Sequence, residues 1–386
     1  MCALTEEVVG RHDLADVPDR ARRETAAWHA EGVSQGPAHD GPRCRYPQSH
    51  ATARDIHTEL VSVAANAGEC TSCYLDTVES MSAGVFGFES GNHHQGLART
   101  HRLSDGSITF FLAHSELGGQ GSVSSYRYAG PTDGDHILDT DPLSVAPMQK
   151  LEPLDEPHPA DICFLPEVDD RDAGYLFVTE EFDRRSVSVY RWEPSRGLEP
   201  HGRVWQGLPD PGPNLLFLDR VGRQYYLGIA SYHWGWGALL TARDTELFPT
   251  CEQGALDVSA LRPSPQQHMF PFPVPGGTTQ TKLVRDATGE WYLLGFRGDP
   301  ADDTGATDYV DVYGVTFAPF SISYRQFSVH VSFKPGATSF ASTGTHHVER
   351  SGRLLLSSSY RWARDEGPGD SDYVSRVDEC PSAFER

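Results

Sequence analysis

Five stretches of the chain repeat one alternation of polar and apolar positions. Each opens on polar residues, enters a short apolar strand, turns at Gly or Asp, and returns through a second apolar strand ending in polar or aromatic residues. They read NHHQGLARTHRLSDGSITFFLAHSE from Asn92, HPADICFLPEVDDRDAGYLFVTEEF from His158, GPNLLFLDRVGRQYYLGIASYHW from Gly212, TQTKLVRDATGEWYLLGFRGD from Thr279 and STGTHHVERSGRLLLSSSYRW from Ser342. With strand starts taken at 93, 159, 213, 280 and 345, the spacings are 66, 54, 67 and 65 residues. Third strands follow in SVSSYRYAG, RSVSVYRWE, GALLTAR and DYVDVYGVTF, and a fourth in GLEPHGRVW. Three or four antiparallel strands per unit at a nearly regular period predict an all-β fold, a five-bladed β-propeller. One blade cannot bury both faces of its sheet, whereas five stacked radially bury each face against a neighbour. Runs such as YLFVTEEF and WYLLGF, apolar at successive positions, suit strands covered on both faces. A β-sandwich, the rival all-β fold, does not repeat at about 60 residues.

The first 75 residues break this pattern. Arg20–Ala30 and Thr52–Asn66 read as short helices around a Gly/Pro/His-rich loop. The expected organisation is a partly helical N-terminal arm over 1–75 and the propeller over 76–386. Residues 76–89 are the expected outer strand that closes the ring with the last blade.

Composition narrows the partners. An apolar share of 38% with 37 Gly and 27 Pro fits many turns and exposed sheet edges. A net charge of -22 opposes phosphate contacts, so neither nucleic acid nor an anionic membrane is an expected partner. No apolar run reaches the roughly 18 residues of a membrane span. The first residues, MCALTEE, show neither a basic segment nor an apolar one, which points to the cytoplasm. The 7 cysteines are an odd, scattered set, not a disulfide framework, and Cys70-x-x-Cys73 is read as structural. Oligomeric state leaves no trace in the sequence.

In a propeller the first strand of each blade runs along the central axis. Its starting residues here are His93, His94 and Gln95; His158 and Asp161; Asn214; Gln280 and Lys282; His346 and His347. Second strands end near His114, Ser115 and Glu116, at Glu180 and Glu181, and at Tyr232, His233 and Trp234. Polar groups converging on a concavity make the axis the candidate site for a small-molecule substrate. Three readings of the histidines stand side by side. In one, His94 and His346, aided by Asp161 or Glu116, ligate one divalent Zn, Fe or Mn ion at the axis. In another, His94 or His346 carries protons and Asp161 or Glu116 orients it or acts as the acid. In the third, the histidines satisfy backbone groups and solvent. Gln95, Asn214, Gln280 and His233, with an aromatic wall of Trp234 and Trp236, are expected to orient the substrate. The run from His268 to Pro273 is long enough to overhang the channel as a lid. The nucleophile elbow, phosphate loop, zinc-protease, dinucleotide and EF-hand motifs do not occur.

On its repeat, the chain resembles the five-bladed propellers as a class, which includes arabinanase- and fructosidase-type glycosidases, nucleotidases with an axial calcium, and lectins. The glycosidase pattern implies carboxylates on separate blades. Asp161 matches one such place and Glu116 or Glu180 another, while blades three to five offer Asn, Gln and His. The histidine content is superficially similar to that of carotenoid-oxygenase propellers, which have more blades and an axial four-histidine iron. These features lead to the expectation of an intracellular enzyme on a small organic molecule, in specialised metabolism. Its reaction class falls among lyase or cyclase, hydrolase and metal-dependent oxygenase. A glycosidase-like hydrolase, or a non-catalytic propeller binding glycans or a partner, is the alternative.

Overall fold

Alternation with a period of two governs how the strands pack. In the first strand of blade one, Leu97 faces one neighbouring blade and Ala98 the other; in the second strand Phe110 and Leu112 follow Leu97, and Phe111 and Ala113 follow Ala98. Both faces of Ile108–Ser115 are buried along its whole length. A strand with two apolar faces needs a sheet on each side, and a ring of blades supplies both.

The computed structural model describes residues 46–47, 52–66, 69–76, 93–115, 121–141, 144–154, 158–167, 172–180, 186–205, 215–231, 235–249, 255–265, 269–274, 278–298, 308–333, 340, 343–359, 364–365 and 373–383. Blade one comprises His93–Arg99, Ile108–Ser115, Ser122–Tyr128 and Met148–Pro153. Blade two comprises Pro159–Pro166, Gly174–Glu180, Ser186–Glu193 and Gly197–Trp205. Blade three has Leu215–Val221, Gln224–Ser231 and Trp236–Arg243, edged by Arg262–Pro263 and Met269–Pro271. Blade four has Thr278–Arg285, Trp291–Arg297, Tyr309–Phe317 and Phe320–His330. Blade five has Thr345–Val348, Leu354–Ser359 and Tyr373–Pro381, with Thr71–Asp76 as its outer strand. It is a five-bladed β-propeller.

Apolar clusters fill the seams between blades. Phe111 and Trp192 meet between blades one and two, Phe177 and Leu227 between two and three, Phe217 and Leu293 between three and four. Leu294 and Leu356 pack between four and five, and Phe110 and Val377 between five and one. The hairpins turn as their residues dictate. In blade four Asp286 Oδ1 accepts from the backbone N–H of Thr288 and of Glu290, each at 3.0 Å, and Gly289 supplies a φ of 91°.

Ring closure departs from expectation. The closing strand is Thr71–Asp76, antiparallel to Tyr373–Pro381 with Thr71 opposite Glu379. Beyond Asp76, the segment expected to close the ring lies outside the described residues. The helix expected around residues 52–66 forms over Ile56–Ala65, capped by Asp55, and buries Ile56, Leu60 and Val63 in the seam between blades four and five. The compact unit accordingly runs from Arg45 to Arg386, and a boundary at 75/76 would fall inside the closing strand. The expected Arg20–Ala30 helix lies outside the described residues. Among the described residues no helix is long and apolar enough to cross a membrane.

Closure also gives one of the cysteines a partner. Cys70 and Cys380, 310 residues apart, form a disulfide, while Cys73 is a buried free thiol. Spacing along the chain hid the pair, because only the ring brings its two ends together. The expected lid is corrected. Met269–Pro271 pairs with the third strand of blade three, Phe270 opposite Gly237, and the Phe270 side chain is fully buried.

Candidate functional site

The five first strands surround a small axial cavity of about 20 Å³, to which every blade contributes. Its polar lining comes from Arg99, Cys163, Lys282, Thr345 and His346, with Ile162, Phe164 and Leu218 among the apolar walls. The strands all start at one end of the ring, here termed the mouth.

Asp161 lies at the centre of the ring and is fully buried. Its Oδ1 accepts from Lys282 Nζ and, at 3.2 Å, from Gln280 Nε2. Its Oδ2 accepts from the backbone N–H groups of Leu216 at 2.9 Å and Thr281 at 3.2 Å. Four donors fill the roughly four lone-pair positions of a carboxylate. Burial pushes this carboxyl up while Lys282 and the backbone donors pull it down. For Lys282, burial pulls the ammonium down, but the Asp161 charge outweighs it and holds the amine above its ordinary value. The ionised pair is the form that suits four converging donors. Asp161 and Gln280, expected to react with or orient a substrate, here tie blades two, three and four together. Gln280 also accepts from the Gly344 backbone N–H and so reaches blade five.

The mouth side of blade one gathers polar groups. His94 stands opposite His114 in the sheet register, and the two rings lie 6.0 Å apart at 69°. Burial, followed by the neighbouring His94, lowers His114 to about 3. The Ser115 hydroxyl lies 3.1 Å from Gln95 Oε1 and 3.1 Å from the Pro159 carbonyl, linking blades one and two. On the adjoining blade five, Thr343 Oγ1 and Ser359 Oγ sit 2.9 Å apart. His346, buried in the cavity wall, is lowered to about 3 by burial, then by His347 and Lys282. Both His114 and His346 are therefore neutral at physiological pH, able to hydrogen-bond or ligate but poor as proton carriers.

Trp236 is 51% exposed, the first residue of the third strand of blade three, opposite Ser231 in register. Gln224–Ser231 runs back towards the mouth, so the indole stands on the mouth face, two strands out from the axis. Glu116, Asn214, His233 and Trp234 lie outside the described residues. Glu180 stands opposite Pro159, its backbone at the mouth of blade two.

On the opposite face, between blades five and one, several groups escaped sequence reading. Arg99 and Glu379 form a buried ion pair, and Glu379 also accepts from Ser357 Oγ and the Ile137 backbone N–H, each at 2.9 Å. Asp135 Oδ2 lies 2.8 Å from His347 Nε2 and 3.7 Å from His101 Nδ1. Burial opposes ionisation of Asp135, but hydrogen bonds from His101 and His347 outweigh it and hold the carboxyl far below its usual range. Burial, with Arg99 and His101, keeps His347 neutral. Of these groups, His347 was read as a polar residue at a strand start, and Arg99 left a signal as a charge inside the apolar alternation of its strand. Asp135 and Glu379 come from distant segments and left none.

No protein-family model matches the chain, and no curated protein does either. Similar solved structures include a thermostable family-43 glycoside hydrolase, at 8% identity and a TM-score of 0.41, covering 77% of this chain and 92% of that one. They also include a family-43 enzyme from Xanthomonas citri, at 12% identity and a TM-score of 0.37, covering 83% and 93%. A family-43 protein from Bacillus licheniformis has 17% identity and a TM-score of 0.37 over 63% of this chain, which spans about half of that protein, 46%.

Proposed function

We propose that the protein is an enzyme acting on a small, neutral, hydroxyl-rich molecule of the sugar class, bound at the mouth of the axial channel. The half-exposed indole of Trp236 carries this reading. A large apolar ring left in water on the same face as polar groups is a platform for a sugar face, with hydrogen-bonding groups further in. Two strand spacings place it roughly 10 Å outward from the first strand, a span suited to more than one sugar ring. Dissimilar residues at the five strand starts support one site per chain, not a lectin's several equivalent ones.

The reacting groups in this reading are His94 and Glu116, with the neutral His346 as a hydrogen-bonding wall. Hydrolysis of a glycoside needs two unoccupied carboxyl groups. Asp161, with four donors already, does not supply one, so the hydrolytic form of the proposal rests on Glu116 and Glu180. The metal expected on His94 and His346 is not required. The Cys70–Cys380 disulfide supports an oxidising compartment over the cytoplasm expected from the N-terminal residues.

Calorimetric titration with mono- and oligosaccharides tests the proposal. The expected result is one site per chain, with Trp236→Ala weakening binding about tenfold, as 1.4 kcal/mol of stacking would. Full turnover in both Glu116→Gln and Glu180→Gln would remove the hydrolytic form. An unchanged affinity in Trp236→Ala, or no saccharide binding at all, would sink the whole reading.

A further inference from the structure

We propose that His101, Asp135 and His347 form a site for a divalent transition metal of the zinc class at the seam where blade five meets blade one. The donor set is two imidazoles and one carboxylate, all within 4.8 Å of one another. Such a set suits zinc and its first-row neighbours, whereas calcium and magnesium call for oxygen ligands. Ligand atoms around a tetrahedral ion with bonds of about 2.1 Å lie roughly 3.4 Å apart. The separations from Asp135 Oδ2, 2.8 Å to His347 and 3.7 Å to His101, bracket that spacing.

The carboxylate is held before any metal arrives. Asp135 sits in the tight hairpin joining Thr132–Asp133 to His136–Ile137. Its backbone N–H donates to Glu349 Oε1 at 2.8 Å, and its carbonyl accepts from Arg99 Nη2 at 2.7 Å. Gly134 has a φ of 65°, and a Cβ there would come within 2.6 Å of Glu349 Oε1, so the hairpin requires glycine at this point. Arg353 holds Asp133 at 3.1 Å. These are the outer contacts that fix a ligand's orientation in metal sites. The His347 side chain is 2% exposed and that of His101 37%, so one side of the triad is packed and the other open to water. A site of three protein ligands with a solvent-facing fourth position fits that asymmetry. Charge favours a dication as well: around the two imidazoles, the guanidiniums of Arg99 and Arg353 face four carboxylates, Asp133, Asp135, Glu349 and Glu379.

The metal joins the first strand of blade five, through His347, to two segments of blade one. It thus reinforces the closure that the Arg99–Glu379 pair and the disulfide also serve. The site lies on the face away from the mouth and does not depend on the sugar reading.

The test uses the full chain stripped with chelator, then titrated with Zn²⁺ by calorimetry and with Co²⁺ by visible absorption. Wild type is expected to take up one equivalent and to melt higher with metal than without. His101→Ala and Asp135→Asn should each lose at least about tenfold in affinity, with circular dichroism unchanged. His346→Ala, in the axial wall, should bind as wild type does. The proposal is overturned if wild type binds neither ion, if both seam variants bind like wild type, or if binding disappears only in His346→Ala.

Discussion

Replacing Asp161 with Asn separates a structural carboxylate from a reacting one. The substitution keeps the volume and removes the charge. Lys282, 4% exposed, is then an ammonium without its counter-ion in the middle of the ring. Removing one partner of a buried ion pair costs about 3–5 kcal/mol, because the other charge is left uncompensated. The amide adds to this, since its NH₂ must meet a donor: Lys282 Nζ, Gln280 Nε2, or the N–H of Leu216 or Thr281. Against a global stability of about 5–15 kcal/mol, that is roughly a fifth of the total or more. Lys282→Met leaves the carboxylate with three donors and should cost less than Asp161→Asn. In the double variant no isolated charge remains, so the double loss should fall short of the summed single losses by about 2 kcal/mol or more. Urea unfolding, followed by tryptophan fluorescence and circular dichroism, measures all four corners of the cycle. A loss under about 1 kcal/mol in Asp161→Asn, or additive single losses, would mean that Asp161 and Lys282 are not a coupled buried ion pair. If that variant kept its stability and lost turnover, Asp161 would be a reacting group, as the sequence suggested.

Two further outcomes follow from groups already described. His114 is held near 3 when folded, whereas an unfolded histidine titrates near 6.5. Between those values the unfolded chain binds the extra proton, so stability rises with pH across the window and is lost as pH falls from about 6.5 towards 3. His114→Phe should flatten this slope by up to roughly 1.4 kcal/mol per pH unit between about pH 4 and 6, read from unfolding midpoints; an unchanged slope would show that His114 is not the group responsible. The disulfide closes a 310-residue loop, so a Cys70→Ala/Cys380→Ala pair should lose roughly 2–5 kcal/mol. Peptide mapping without reductant should recover the two cysteines linked, and finding both as free thiols would contradict the closure described.

What the sequence determined by itself is the ring. Five recurrences of one apolar pattern, with strands apolar on both faces, leave stacked blades as the arrangement that buries all of them, and alternation within a strand fixes which residue faces which seam. It also placed the polar residues that gather at the axis, among them His94, Asp161, Gln280 and His346. The tertiary structure alone decided their employment. Asp161 and Gln280 look like substrate groups while their partners are unknown, and become interblade ties once donors from other blades surround them. Closure was hidden for the same reason. Thr71–Asp76 has too little pattern to announce its partner, and Cys70 with Cys380, Arg99 with Glu379, and His101 with Asp135 and His347 all join distant segments. Local pattern reports which face a residue presents, because neighbours in sequence set the backbone. Which charge or ligand it meets there is set by segments that can lie 323 residues away, brought together when the ring closes.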